Sequence, residues 1–215
     1  KGPLHLLIDS TGIKVEGEGE WHARKHGGPK RRVWRKLHLG IDEETLEIRA
    51  VEVTGSHIGD APISHLLDQI PQDQEIGSVT ADGAYDTRKC HDAIADRGAH
   101  AVIPPRKNAK PWKTITAGAV ARNEALRAAK CLARALWRRW SGYHRRSSVE
   151  TKMNCVMSLG HRLIARDFDR QVAALPVRIA VLNGYTALGN PLRKLWDKFI
   201  RGKGNHGHHP ICKTD

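Results

Sequence analysis

Apolar positions recur with a period near two in the first half of the chain and near three to four in the second. Leu4 to Ile8 is a short apolar run that stops at Asp9-Ser10-Thr11-Gly12, which predicts a buried strand ending in a turn. Residues 12–32 are rich in Gly, His and basic side chains and read as a loop. Val33, Leu37, Leu39 and Ile41 alternate with Trp34, Lys36 and His38, the pattern of a strand with one buried face. Asp42 to Thr45 makes a turn into a third strand from Leu46 to Val53. Its apolar phase flips between Ala50 and Val51, which leaves two readings open: a bulge, or burial on both faces.

The period then lengthens. Asp60 is placed to cap a helix that carries Ile63, Leu66, Leu67 and Ile70 on one face. A short strand from Ser78 to Ala81 runs into Asp82-Gly83-Ala84-Tyr85. Thr87 starts another helix, with Cys90, Ala93 and Ile94 inward and Gly98 at its end. Ala101 to Ile103 is a fifth strand, closed by Pro104-Pro105. The order β-β-β-α-β-α-β is followed by helices. One is expected from Asn123 to Trp140, with Leu126, Ala129, Leu132 and Leu136 facing one way, and others near Ser147 and Asp169. Pro176 falls inside the last pattern (Val172, Leu175, Ile179, Leu182) and is expected to kink or break it, at a cost of roughly 3 kcal/mol. With no second core and no internal repeat, residues 1–190 are expected to form one domain. Residues 191–215 read as a basic, His-containing tail that is disordered.

Charge narrows the partner. The chain has 36 Lys and Arg against 23 Asp and Glu, a formal +13. One basic cluster includes Lys30, Arg31, Arg32, Arg35 and Lys36. Between residues 106 and 152, thirteen Lys and Arg face only Glu124 and Glu150. Arg127, Lys130, Arg134 and Arg138 make a stripe along the expected long helix. Nucleic acid is the first partner to consider, against the plainer reading of a solvated basic surface. No apolar run approaches the roughly 18 residues that a membrane span needs, and no secretory leader is visible. The four cysteines lack any C-x-x-C pair and suit reduced thiols in a cytoplasm. Gly17-x-Gly19 lacks a strand-to-helix setting, so it is not read as a dinucleotide loop. His22 and His26 are candidate phosphate contacts, while His206, His208, His209 and Cys212 are read as tail residues rather than a metal site.

Three acids stand out by position. Asp9 follows the first strand, Asp82 follows the fourth, and Glu150 lies near a helix start. In a sheet of the ribonuclease H type the first and fourth strands are parallel neighbours, so their C-terminal ends would bring Asp9 and Asp82 together. Two or three such carboxylates can hold two hard cations about 4 Å apart, the arrangement phosphodiester chemistry uses. Each acid alone has a plainer explanation. Asp9 fits a turn or cap, Asp82-Gly83 is a common turn pair, and Ser147-x-x-Glu150 matches a capping box.

Taken together, Asp9 in LLIDST, Asp82 in SVTADGAYD and Glu150 in YHRRSSVETKM resemble the three catalytic acids of DDE-type transposases. The family-five group of bacterial insertion sequences is the most similar, because Tyr143, Arg146 and Glu150 match its signature spacing and Trp21 to Asp42 resembles the segment after its first acid. The resemblance spans roughly residues 4–190. It implies a ribonuclease H-like α/β fold, with a mixed five-stranded sheet flanked by helices and a helical C-terminal portion. It also implies Mg²⁺ (Mn²⁺ as substitute) held by Asp9, Asp82 and Glu150, cleavage at insertion-sequence ends, and transfer of the 3′-hydroxyl to target DNA. The implied partner is double-stranded DNA, both ends and target, bound by a homodimer in the bacterial cytoplasm at the nucleoid. Tyr143 and Arg146 would contact phosphates near the cut, with Arg127, Lys130, Arg134, Arg138, Arg31 and Arg32 as further DNA contacts.

Three departures from that pattern stand out. The signature's basic position falls on Met157, and Lys152 is expected on another side of the helix. The N-terminal DNA-binding helical region that the resemblance implies is not expected ahead of Lys1, and Pro176 is expected to disturb a helix. A partial or decayed copy therefore stands beside an active transposase. The rival functions are a non-catalytic DNA-binding remnant and a ribonuclease H-like nuclease without strand transfer.

Overall fold

The computed structural model describes residues 2–15, 33–55, 63–165 and 167–188. Its strands and helices follow the expected order: β1 (Leu4–Val15), β2 (Val33–Asp42), β3 (Ile48–Gly55), α1 (Ile63–Asp68), β4 (Ile76–Thr80), α2 (Arg88–Asp96), β5 (His100–Val102), α3 (Ala117–Cys131), α4 (Ala133–Trp140), α5 (Ser147–Ser158), β6 (Arg162–Leu163) and α6 (Phe168–Ala187). Short 3-10 turns at Gly83–Tyr85 and Tyr143–Arg146 precede α2 and α5. The sheet is mixed, in the order β3-β2-β1-β4-β5, and β6 pairs with β1. Helices cover both faces, an α/β architecture of the ribonuclease H type. Residues 16–32 with Arg31 and Arg32, which cover most of the loop expected over 12–32, the expected Asp60 cap and the expected tail lie outside the described residues.

Alternation along β1 sends its side chains into two cores. Leu4, Leu6 and Ile8 join Ile63, Leu66 and Leu67 of α1 and Cys90 and Ile94 of α2. Leu7, Ile13 and Val15 join Val149, Met153 and Val156 of α5 and Leu175 and Leu182 of α6. Asp9 has the parity of the second set and so faces the α5 side.

Several expectations need correction. β1 does not stop at Asp9. It runs to Val15 because residues 9–15 continue the antiparallel ladder with β2, so Asp9 is a mid-strand residue opposite Leu39. β2 is buried on both faces at His38, which is fully enclosed because α1 and α2 cover the side assigned to solvent. β3 starts at Ile48, not Leu46, since Leu46 has φ of 60° inside the Asp42 turn. Its bulge lies at the Gly40/Ile41 step opposite Ala50 and Ile48, slightly ahead of the expected flip.

The long helix expected over Asn123–Trp140 begins earlier, capped by the Thr116 hydroxyl, and breaks at Ala133, whose φ is 58°. That break rotates α4, so Trp137 is buried and Leu136 is 53% exposed. The stripe of Arg127, Lys130, Arg134 and Arg138 is therefore divided between two helices.

Ser147 does not form a capping box. It lies inside the first turn of α5, and its hydroxyl donates to the His144 carbonyl. Pro176 neither ends nor splits α6. Leu175 and Leu182 anchor the helix in the core, and the Asn183 side chain accepts from Ile48 N and donates to Ile48 O, both at 2.9 Å. This packing outweighs the roughly 3 kcal/mol that an interior proline costs.

Candidate active site

β2 flanks β1 along residues 6–15 on one side. On the other side β4 pairs with Leu4–Leu7 and β6 with Lys14 and Val15, which leaves an unpaired stretch of edge between them among the described residues. Asp9 stands in that stretch. Leu7 is opposite Thr80 in the parallel register, and Asp9 and Asp82 each lie two residues further on. Equal offsets in parallel strands bring the two aspartates alongside one another. Asp82 leaves the sheet at this point and caps the Gly83–Tyr85 turn, accepting from Ala84 N at 2.9 Å.

The third acid comes from α5. Val149, Met153 and Val156 pin that helix to the sheet, so Glu150 in its first turn is held near β1 with its side chain 53% exposed. Arg146 joins the acids. Its Nη1 lies 2.8 Å from Asp9 Oδ2 and its Nη2 lies 2.7 Å from Glu150 Oε1. Nη1 is buried and close to Asp9, yet its hydrogens do not line up on any acceptor, so this contact is a charge pair rather than a formed hydrogen bond.

Electrostatics agree with this geometry. Burial pushes the Asp9 carboxyl above its ordinary value; Ser10 N–H and Arg146 oppose that, while Asp82 and Glu150 add to it. Burial alone would lower the Arg146 guanidinium, but Asp9, Tyr143 and Glu150 hold it above its ordinary value. All three acids thus act on one locus. Among the described residues no three His, Cys, Asp or Glu side chains lie at metal-ligand spacing, and Arg146 occupies the ground between Asp9 and Glu150.

Tyr143 lies beside the acids. Arg146 and Arg138 sit over its ring at 5.9 and 5.5 Å, and Trp137 packs 6.4 Å from it. The two halves of the basic stripe thus have different neighbours. Arg138 belongs with Tyr143, while Arg134 donates to the Pro105 carbonyl at 2.8 Å. Arg127 and Lys130 are exposed on α3.

Sequence reasoning missed two buried networks. Asp86 accepts from Arg122, from His91 Nε2 and from Arg106 N, and Arg122 stacks on Trp112 at 4.3 Å. On the other face of β1, His38 bridges Thr54 Oγ1 at 3.1 Å and Tyr85 Oη at 3.4 Å, with the Ser10 hydroxyl also bonded to Tyr85. Tyr85 ends the turn that Asp82 caps and Asp86 is its C-cap, and their partners His38 and Arg122 lie far away in the chain, so no local pattern announces either network.

A family model described as the transposase DDE domain matches residues 1–183. The chain belongs to the DDE transposase family. The membership accounts for a basic surface around an acidic centre, and DNA is the partner it implies. No helix among the described residues of this transposase is long and apolar enough to cross a membrane. Lys152 and Met157 of the transposase differ in their surroundings. Lys152 is buried and donates to Thr186 Oγ1 at 2.6 Å, as its expected placement on another side of the helix requires. Met157 packs against the core.

Proposed function

We propose that the chain is a transposase of the family-five insertion-sequence group, in which Asp9, Asp82 and Glu150 are the catalytic carboxylates for end cleavage and 3′-hydroxyl strand transfer. The observation that carries this reading is the convergence on one guanidinium. Arg146 pairs with Asp9 from β1 and Glu150 from α5, while Asp82 follows Thr80, the partner of Leu7, at the same two-residue offset as Asp9.

The donor set fits a hard divalent cation, Mg²⁺ or Mn²⁺. All three groups offer carboxylate oxygens, burial raises the Asp9 carboxyl with smaller contributions from Asp82 and Glu150, and a misaligned buried nitrogen now supplies the positive charge the cluster needs. Asp9, Asp82 and Glu150 would hold the metal, which when bound activates the attacking oxygen and stabilises the leaving one. In this reading Arg146 serves the phosphate with its planar fork once the carboxylates are otherwise satisfied, and Tyr143 donates its hydroxyl to a phosphate oxygen. Arg138, stacked on Tyr143, adds positive charge on the same side. Arg127, Lys130, Arg134, Arg31 and Arg32 extend the contact with DNA, bound by a homodimer.

A second reading, a transposase remnant that binds DNA without cutting it, draws on one observation. Neither Met157 nor the sequestered Lys152 offers a cation at the signature's basic position.

The test is nicking and joining on duplexes bearing the inverted repeats that flank the gene. The full chain is assayed in Mg²⁺ and in EDTA beside Asp9→Asn, Asp82→Asn and Glu150→Gln. Catalysis at these acids requires metal-dependent nicking by the parent and none by the three variants. A parent that binds the ends but never nicks them supports the second reading, and any acid variant that nicks like the parent removes that residue from the catalytic set.

A further inference from the structure

Arg106, Lys107, Lys130 and Arg134 line a groove of about 240 Å³ between the segment after β5 and the α3–α4 corner, over a floor that includes Leu126 and Pro105. No carboxylate lines it, and neither does any Asn or Gln. Lys107 and Lys130 are exposed, and neither makes an ion pair among the described residues.

The walls of this groove are fixed, which separates it from an ordinary solvated basic face. Arg134 Nη2 donates to the Pro105 carbonyl at 2.8 Å and ties α4 to the segment after β5. Arg106 N donates to Asp86 at 3.1 Å, and its guanidinium donates to the carbonyls of Gly83 and Ala84 at 3.3 and 3.1 Å. Those two carbonyls belong to the turn that Asp82 caps. The turn that Asp82 caps therefore also receives a groove residue.

We propose that this groove is a phosphodiester-binding site that takes the DNA backbone close to the phosphate being cut. The inference rests on the reading of Asp82 as a catalytic acid and adds a site to it. Two free ammonium groups beside two anchored guanidinium groups suit phosphate oxygens, which accept charge-assisted hydrogen bonds from either. A wall without side-chain amides reads no base edges, so the contact sets position along the strand rather than sequence. The adjacency to Asp82 fixes which phosphate is held relative to the cut.

The test uses the full chain with Lys107→Gln and Lys130→Gln combined, two exposed positions where the change leaves folding intact. Binding to an end-bearing duplex is measured by fluorescence anisotropy in EDTA across a salt series, with single neutral methylphosphonate linkages placed in turn along each strand. The slope of log K against log salt should become shallower by about 0.9 for each phosphate that is no longer neutralised, up to about 1.8 for the pair. The parent should weaken at one or two linkages near the cut, and the variant should be indifferent to those same linkages. An unchanged slope overturns the proposal. So does a shallower slope in a parent that weakens equally at every linkage, because that describes diffuse charge. Binding in EDTA does not depend on the carboxylates, and Asp82→Asn assayed in parallel for nicking reports separately on the catalytic reading.

Discussion

Asp86 receives both Nε and Nη2 of Arg122 at 3.1 Å, and the two side chains are only 1% and 3% exposed. Burial alone would raise the Asp86 carboxyl, but hydrogen bonds from His91, Arg122 and Arg106 N overcome it and hold the carboxyl well below the usual range. The pair joins the turn after Asp82 to α3, and through the Lys110 carbonyl, which Arg122 Nη1 reaches at 2.7 Å, to the basic segment between β5 and α3.

Arg122→Met should cost about 3–5 kcal/mol near pH 7, because a buried carboxylate loses its main partner. The depressed Asp86 value means its stabilisation is complete above the unfolded carboxylate value near 3.9 and is lost only as pH falls through the lower folded value. In the variant, burial meets less opposition and the carboxyl can neutralise at a higher pH. Urea denaturation should therefore show a larger deficit at pH 7 than at pH 4. An equal deficit at both values would mean that Arg122 contributes packing and not charge.

His38 should remain neutral well below the ordinary histidine range. Burial, with help from Lys36, lowers it from 6.5 to about 4. Because the folded value lies below the unfolded one, this site costs nothing above pH 6.5, and its contribution falls as pH drops toward 4, by roughly 3 kcal/mol in all. NMR of the ring carbons should show no titration of His38 between pH 8 and 5.5. A midpoint near 6.5 would show that the ring is solvated and the Thr54–His38–Tyr85 chain is not formed.

Arg146→Gln should strengthen binding of Mn²⁺ to the DNA-free protein while weakening cleavage. The guanidinium now balances Asp9 and Glu150, and a cation arriving there must compete with it. Electron paramagnetic resonance titration of free Mn²⁺ reports the first effect and end nicking the second. Weaker Mn²⁺ binding in the variant would show that Arg146 organises the acids and does not compete for them.

Met157→Lys should raise end-specific cleavage about ten- to hundredfold by restoring one charge-assisted phosphate contact worth roughly 1.5–3 kcal/mol. Met157 is only partly buried against the core, so a lysine there can extend its head toward solvent and the fold should tolerate it. Unchanged cleavage, with non-specific affinity also constant, would place the missing charge elsewhere on α5.

Much of this architecture was legible from periodicity alone. The succession of strands and helices along the chain, the faces of α1 and α2, and the positions of Asp82 and Glu150 follow from apolar spacing and turn residues, whereas the neighbouring of β1 and β4 came from the ribonuclease H type of sheet. Asp9 was harder to read, because Asp-Ser-Thr-Gly has the composition of a turn while pairing with residues 36–39 of β2 holds it extended. His38 was hidden by a pattern that marks one face as polar when both faces are covered. The break at Ala133 carries no glycine or proline to announce it, and the Asp86–Arg122 pair spans 36 residues of chain. Both are settled by tertiary contacts that no local window contains.

Asp9 lies within a ladder that continues for six residues beyond it, whereas Asp82 and Glu150 sit at the entrances of a 3-10 turn and a helix. The three acids are therefore unequal in freedom. The backbone at Asp9 should be among the slowest in the chain to exchange its amide hydrogens, and the openings that change the site should begin in the Gly83–Tyr85 and Tyr143–Arg146 turns. Any tightening of the carboxylates around a substrate must come from those two turns moving toward a stationary strand.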